Sequence, residues 1–228
     1  MPKKNESIIN SKDLLKSAST YLNKDEIIKL KNTIDFATNA HKGQKRLSGV
    51  SYISHPLAVA YFITELKLDL EAIQAALLHD TLEDCGIEAA ELMEVFGKDV
   101  CHIVQAVTKI DELQSTQVDH SLAESETMKK MFLAMAEDVR VVIIKIADRL
   151  HNMQTLQFLS KKRQLAISTE TMEVFAPLAD RLGIWQYKLQ LEDLAFSYIE
   201  SAIYNKINSM IATSQVERIN YVDDIVRA

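Results

Sequence analysis

His79 and Asp80 stand together in the run AALLHDTLED, with Glu83 and Asp84 each following one of them at a distance of four. On a helix that spacing stacks side chains on one face, so a buried apolar stretch ends in an imidazole and three carboxylates aimed at one region. Buried carboxylates repel one another and are costly to desolvate, which calls for a cation among them. A solvated acidic helix end beside Gly86 is the alternative. His55 precedes Pro56, where a plain loop histidine would also fit. Asp148 closes the apolar run VVIIKIA and should point inward, toward either an ion-pair partner such as Arg149 or a metal. Asn152 and Thr155 follow it on the same helix face. Three segments thus each place His or Asp at the end of an apolar run. Two imidazoles (His55, His79) and two carboxylates (Asp80, Asp148) make a mixed N/O set suited to Mn²⁺, Fe²⁺ or Zn²⁺. With positions left for water and substrate, such a site is catalytic rather than structural.

Just before His55 lies a basic stretch with Lys42, Gln44, Lys45 and Arg46, then Ser48 and Tyr52. A short charge run usually means a solvated loop. Next to a metal ligand it reads instead as a loop that grips phosphate or a base, since arginine binds phosphate bidentately and stacks on purines. Tyr52 is a stacking or hydrogen-bonding wall. His41 and His102 read as structural residues on helical faces, and His120 as exposed in a mobile loop. His151, three residues after Asp148, reads as a partner behind the ligands.

The elements that must position these groups are helical. The 228 residues include only 5 Gly and 3 Pro, and 47 % are apolar, so the chain favours long helices over a turn-rich β fold and can bury a large core. The expected fold is an all-α, compact helical bundle. Its helices are expected over about 25–40, 56–66, 69–84, 88–96, 98–110, 124–137, 139–156, 164–182 and 185–204, with loops at 41–54, 111–123 and around Lys161–Arg163. The domain division is an N-terminal extension (1–24), a catalytic unit (25–205) and a C-terminal helical tail (206–228).

The net charge of −6 argues against a general nucleic-acid binder, and no DNA or RNA partner is expected. Cys85 and Cys101 lack disulfide or metal spacing and read as small buried apolar residues, in keeping with a reducing cytoplasm. The start, MPKKNESIINSKD, has no apolar core of a secretory signal, and no apolar run is long enough for a membrane span.

The ordered pattern HKGQKRLSG, YISHPLAVA, AALLHDTLED, VTKI, IKIADRLHNMQTL, FAPLADRLGI and LEDLAFSYI resembles the hydrolase domain of the RelA/SpoT homologues. The resemblance covers about residues 25–205. It implies an all-helical HD-type fold, with His55, His79, Asp80 and Asp148 as ligands of one divalent ion, usually Mn²⁺. It implies that Glu83 and Asp84 position or activate the attacking water. It implies further that Arg46, Ser48, Tyr52, Asn152 and Thr155 hold a guanosine nucleotide. In the reaction so expected, Lys45 and Arg46 counter charge on the polyphosphate. The expected activity is a guanosine-3′,5′-bis(diphosphate) 3′-pyrophosphohydrolase acting on ppGpp and pppGpp. Alternatives are an HD-type hydrolase of another nucleotide, such as NADPH, and a catalytically silent regulatory module. Val50 and Ser51 stand where the family often has an acidic residue and proline, and Leu47 where several members are basic. Nothing resembles the synthetase domain of the long members, so the chain is expected to be either a stand-alone hydrolase or the N-terminal piece of a longer protein. The expected location is the cytoplasm.

Overall fold

A computed structural model of the chain describes residues 9–115 and 120–211, without the side chains of 111–115, 120–127 and 130. Among the described residues every regular element is helical, and one isolated antiparallel bridge joins Lys45 to Ser51. Two amphipathic helices open the fold: α1 (Ser11–Ala18) and α2 (Lys24–Ala40). Each starts at an asparagine that caps the helix reciprocally with an acid three residues on: Asn10 with Asp13, and Asn23 with Glu26. α1 packs Leu14 and Ala18 onto α3, so residues before 24 contribute to the core.

Three helices form the centre. α3 (Ser54–Glu65) and α4 (Leu70–Leu78) are apolar around almost their whole circumference, and α9 (Val139–Gln154) buries the unbroken run Val141–Asp148; such segments are stable only when covered on all sides. α3 packs on both α4 and α9. Around them lie α5 (Thr81–Asp84), α6 (Ala89–Phe96), α7 (Lys98–Ser115) and α8 (His120–Glu137). A 3₁₀ turn (Leu156–Phe158), α10 (Lys161–Glu170), a π-helical turn (Thr171–Phe175), α11 (Ala176–Arg181) and α12 (Trp185–Ile199) follow. Residues 201–211 are helical again and largely exposed. No helix of the described residues is long and apolar enough to cross a membrane.

Several expectations are corrected. The helix expected over 69–84 is two helices, because side chains take over the last carbonyls of α4: His79 Nδ1 bonds Ala76 O at 2.9 Å, and Thr81 Oγ1 donates to Leu78 O at 2.6 Å. Asp80 sits at the break with φ −92° and ψ −3°, and α5 restarts from it. Lys161–Arg163 are not a loop but the first turn of α10, entered from extended Ser160. The loop expected over 111–123 is helical at 111–115 and 120–123, where no Gly or Pro interrupts good helix formers. The expectation for 116–119 lies outside the described residues, as do that for 212–228 and that for the His120 side chain. His102 is an exposed residue of α7, whereas His41 is buried at the end of α2. Cys101 is buried, but Cys85 is only partly so, because it caps α5 at the surface turn into Gly86.

Candidate metal-dependent active site

The packing of α3, α4 and α9 brings together residues far apart in sequence. His55 lies in the first turn of α3, His79 and Asp80 at the α4–α5 break, and Asp148 in the middle of α9. His55, His79 and Asp80 each present a ligand atom within 4.8 Å of the other two. Asp148 stands beside this trio rather than within it, with Oδ1 3.2 Å from His55 Nε2. Asp80 Oδ2 approaches the same nitrogen at 3.7 Å. His55 and His79 are 3 % and 1 % exposed, so water screens these contacts little.

The donor set fits a cation. His79 Nδ1 faces a carbonyl, which can only accept, so this nitrogen carries the proton. Nε2 is then the free position. It is buried, 3.0 Å from Asp80 Oδ1, and makes no aligned hydrogen bond. A bare lone pair against a carboxylate is repulsive, so that nitrogen takes up either a proton or a metal ion. Burial disfavours the imidazolium, but Asp80 outweighs it and pushes His79 up to about 9. Burial raises Asp80, and His79 followed by His55 more than reverse this, holding its carboxyl below the usual range. For His55 burial prevails over Asp148 and Asp80, and the ring is driven toward its neutral form. The acids thus favour a positive charge at His79, while His55 keeps a neutral ring beside them.

Lys145 supplies one such charge. Its buried ammonium donates to Asp148 Oδ2 at 2.8 Å, while Asn152 Nδ2 donates to Oδ1 at 2.7 Å. Asp148 is itself strongly buried, and Lys145 followed by His55 holds its carboxyl well below the usual range. The Arg149 partnership considered from sequence does not form. Arg149 instead donates to Glu170 at 2.7 Å and lies over the Phe175 ring at 4.1 Å. A lone lysine inside VVIIKIAD, three residues before the aspartate, was the available signal for Lys145.

Glu83 and Asp84 are exposed on α5. Asp84 is tied to the His/Asp cluster by Tyr52, whose hydroxyl lies 2.8 Å from Asp80 Oδ2 and 3.0 Å from Asp84 Oδ2. Burial, then these two carboxylates, raise Tyr52 far above the usual phenol range. Its ring stacks on His41 with centroids 4.9 Å apart, and His41 bonds Gln44 at 2.8 Å. Gln44 in turn donates to the Asp84 carbonyl at 2.8 Å, which pins the basic loop to α5. Gly49, at φ 82°, allows the loop to reverse; a side chain there would be strained.

A cavity of about 520 Å³ opens beside Asp148, within the usual range for a small-molecule site. Arg46, Ser48, Asn152 and Thr155 line it, together with Arg163, which sequence reasoning did not single out. Arg46 Nη2 donates to Asn152 Oδ1 at 2.8 Å, joining the loop to α9. Tyr52 faces the acids instead of lining this cavity. Lys45 is exposed and does not line it either. His151 lies between Arg46 and His55, at 2.9 and 2.8 Å. Burial, then the charges of His55 and Arg46, lower it to about 3.

The HD domain family model matches residues 33–185. A probable guanosine-3′,5′-bis(diphosphate) 3′-pyrophosphohydrolase of Synechocystis sp. is 43 % identical over 196 residues, covering 84 % of this chain and 25 % of that protein. The bifunctional (p)ppGpp synthase/hydrolase SpoT of Escherichia coli is 41 % identical over 207 residues, 91 % of this chain and 29 % of that protein. A probable GTP pyrophosphokinase of Mycobacterium leprae is 45 % identical over 193 residues, 85 % of this chain and 24 % of that protein. The chain thus spans between about a quarter and three tenths of the length of these curated relatives. A solved metazoan SpoT orthologue aligns at 21 % identity and a TM-score of 0.47, over 82 % of this chain and 97 % of that one, too loose a likeness to bear on fold or function.

Proposed function

Since the chain belongs to the HD domain family, we propose that it hydrolyses the 3′-pyrophosphate of ppGpp and pppGpp with a divalent metal, Mn²⁺ in the first instance. The observation that carries this reading is the placement of a cation-seeking His/Asp cluster beside a nucleotide-sized cavity lined by Arg46 and Asn152. The names of the relatives support the substrate class and divide between hydrolysis and synthesis; the cluster favours hydrolysis.

His55, His79 and Asp80 would hold the ion, with Asp148 as the fourth ligand. Bound there, a divalent ion supplies Lewis acidity toward phosphate oxygens and water. Arg46, Ser48, Asn152 and Thr155 bind and orient the guanosine portion, and Lys45 screens polyphosphate charge from outside the cavity. Glu83 or Asp84 orients the attacking water and accepts its proton. A new P–O bond to that water forms as the bond from phosphorus to the ribose 3′-oxygen breaks. The products are GDP (or GTP) and pyrophosphate. We assign this chemistry to the unit 25–205 and place it in the cytoplasm.

The test is hydrolysis of ppGpp, pppGpp and NADPH with and without Mn²⁺, with products identified. Pyrophosphate and GDP from ppGpp only with metal is the expected result. Release of a single phosphate, turnover of NADPH alone, or no turnover with metal bound would overturn the proposal in favour of another nucleotide or a silent module.

A further inference from the structure

Arg46, His151 and His55 form a continuous chain of polar contacts from the cavity to the cluster. Arg46 Nη1 lies 2.9 Å from His151 Nδ1, and the same nitrogen lies 2.8 Å from His55 Nδ1. A guanidinium only donates, so His151 Nδ1 accepts from it. A nitrogen that accepts carries no proton, so the second contact runs from His55 Nδ1–H, and the single lone pair of His151 Nδ1 is shared between the two donors. The contacts from the basic loop and α9 thereby place a proton on His55 Nδ1 and leave Nε2, like that of His79, as the position that takes up a metal ion or a second proton. That nitrogen faces Asp148 Oδ1 and Asp80 Oδ2.

We propose that His151 is a positioning residue that sets the tautomer of His55, making it competent to ligate a divalent ion, and that couples this choice to Arg46 at the cavity. The inference rests on the metal-dependent reading above. His151 does not touch the reacting atoms in this scheme; it acts through His55 and Arg46. Linkage makes the coupling reciprocal: whatever an ion at His55 does to the hold on Arg46, Arg46 does by the same factor to the ion.

Two substitutions separate the chemistry from bulk. His151→Asn places an amide oxygen near the position of Nδ1, where it can accept from both donors. His151→Leu fills similar space and accepts from neither. Mn²⁺ binding to the nucleotide-free protein, by calorimetry, is the first readout; the ¹⁵N spectrum of His55 in wild-type, metal-free protein is the second. His151→Leu should weaken Mn²⁺ binding by about 10- to 100-fold, and His151→Asn by no more than about threefold. The spectrum should show His55 protonated on Nδ1. Equal Mn²⁺ affinity in wild type and a folded His151→Leu protein overturns the proposal, and so does a wild-type His55 that carries no proton on Nδ1. The spectrum decides the matter alone should His151→Leu not fold. Failure of wild type to bind Mn²⁺ would instead sink the metal-dependent function, while the spectrum would still decide the tautomer.

Discussion

Lys145 Nζ donates to Asp148 Oδ2 at 2.8 Å, one helical turn apart and inside the core. Removing one member of such a pair strands the other charge, which typically costs about 3–5 kcal/mol. Lys145→Met should destabilise the metal-free protein by that order in urea unfolding. Saturating Mn²⁺ should recover much of the loss, because a second cation then serves Asp148. An unchanged deficit with metal would mean that Asp148 does not sense the ion.

Tyr52 joins a candidate ligand, Asp80, to a candidate base, Asp84. Tyr52→Phe keeps the ring against His41 and removes only the bridge. Stability should change by about 1 kcal/mol. The kcat for ppGpp should fall about ten- to a hundredfold, because Asp84 loses its fixed position. Unaltered kcat would assign the hydroxyl a purely structural role.

Glu83→Gln and Asp84→Asn distinguish the two acids of α5. The variant that loses the general base should drop kcat by about 10²-fold or more while retaining its metal. Metal analysis of both purified variants is the control. Loss of metal together with activity would move that residue into the ligand set.

Arg140 links the starts of two central helices. It bonds Asp138, the N-cap of α9, at 2.7 Å, and Asp69, the N-cap of α4, at 2.9 Å. Hydrogen bonds from Arg140 hold the Asp138 carboxyl below its ordinary value. A depressed folded pKa contributes stability above the unfolded value of about 3.9, and that contribution disappears as pH falls through the folded pKa. Asp138→Asn should therefore cost about 1 kcal/mol at neutral pH, and the cost should shrink as pH falls below about 3.9 and vanish below the folded pKa. A gap that stayed constant from neutral pH to well below the unfolded value would show that the charge is not responsible.

The all-helical class and the identity of the central helices were legible in the sequence, because both follow from local composition. SHPLAVAYFITE and LEAIQAALL are too apolar on every side to be surface helices, the run VVIIKIA marks the middle of α9 as core, and all three stretches are largely buried. The residue types of the cluster were legible for the same reason: His55, His79, Asp80 and Asp148 are polar groups that such runs carry into the core. Other features depended on contacts between separate segments, from 28 to 105 residues apart, which no local pattern encodes. Among these are the turn of Tyr52 toward the acids and the line from Arg46 through His151 to His55. Lys145 and Asp148 are only three residues apart, but Arg149 is drawn away by Glu170 of a later helix, so that choice too belongs to the tertiary structure. The break of the helix at Asp80 is of a mixed kind. Its hydrogen bonds are local, but the apolar periodicity runs straight through it, and only side-chain capture of the α4 carbonyls ended the helix there. Sequence determined which groups would be buried, because burial follows the hydrophobic pattern. The docking of α3, α4 and α9 decided which of those groups meet, because hydrogen-bond direction and charge pairing are settled only when the helices are in register.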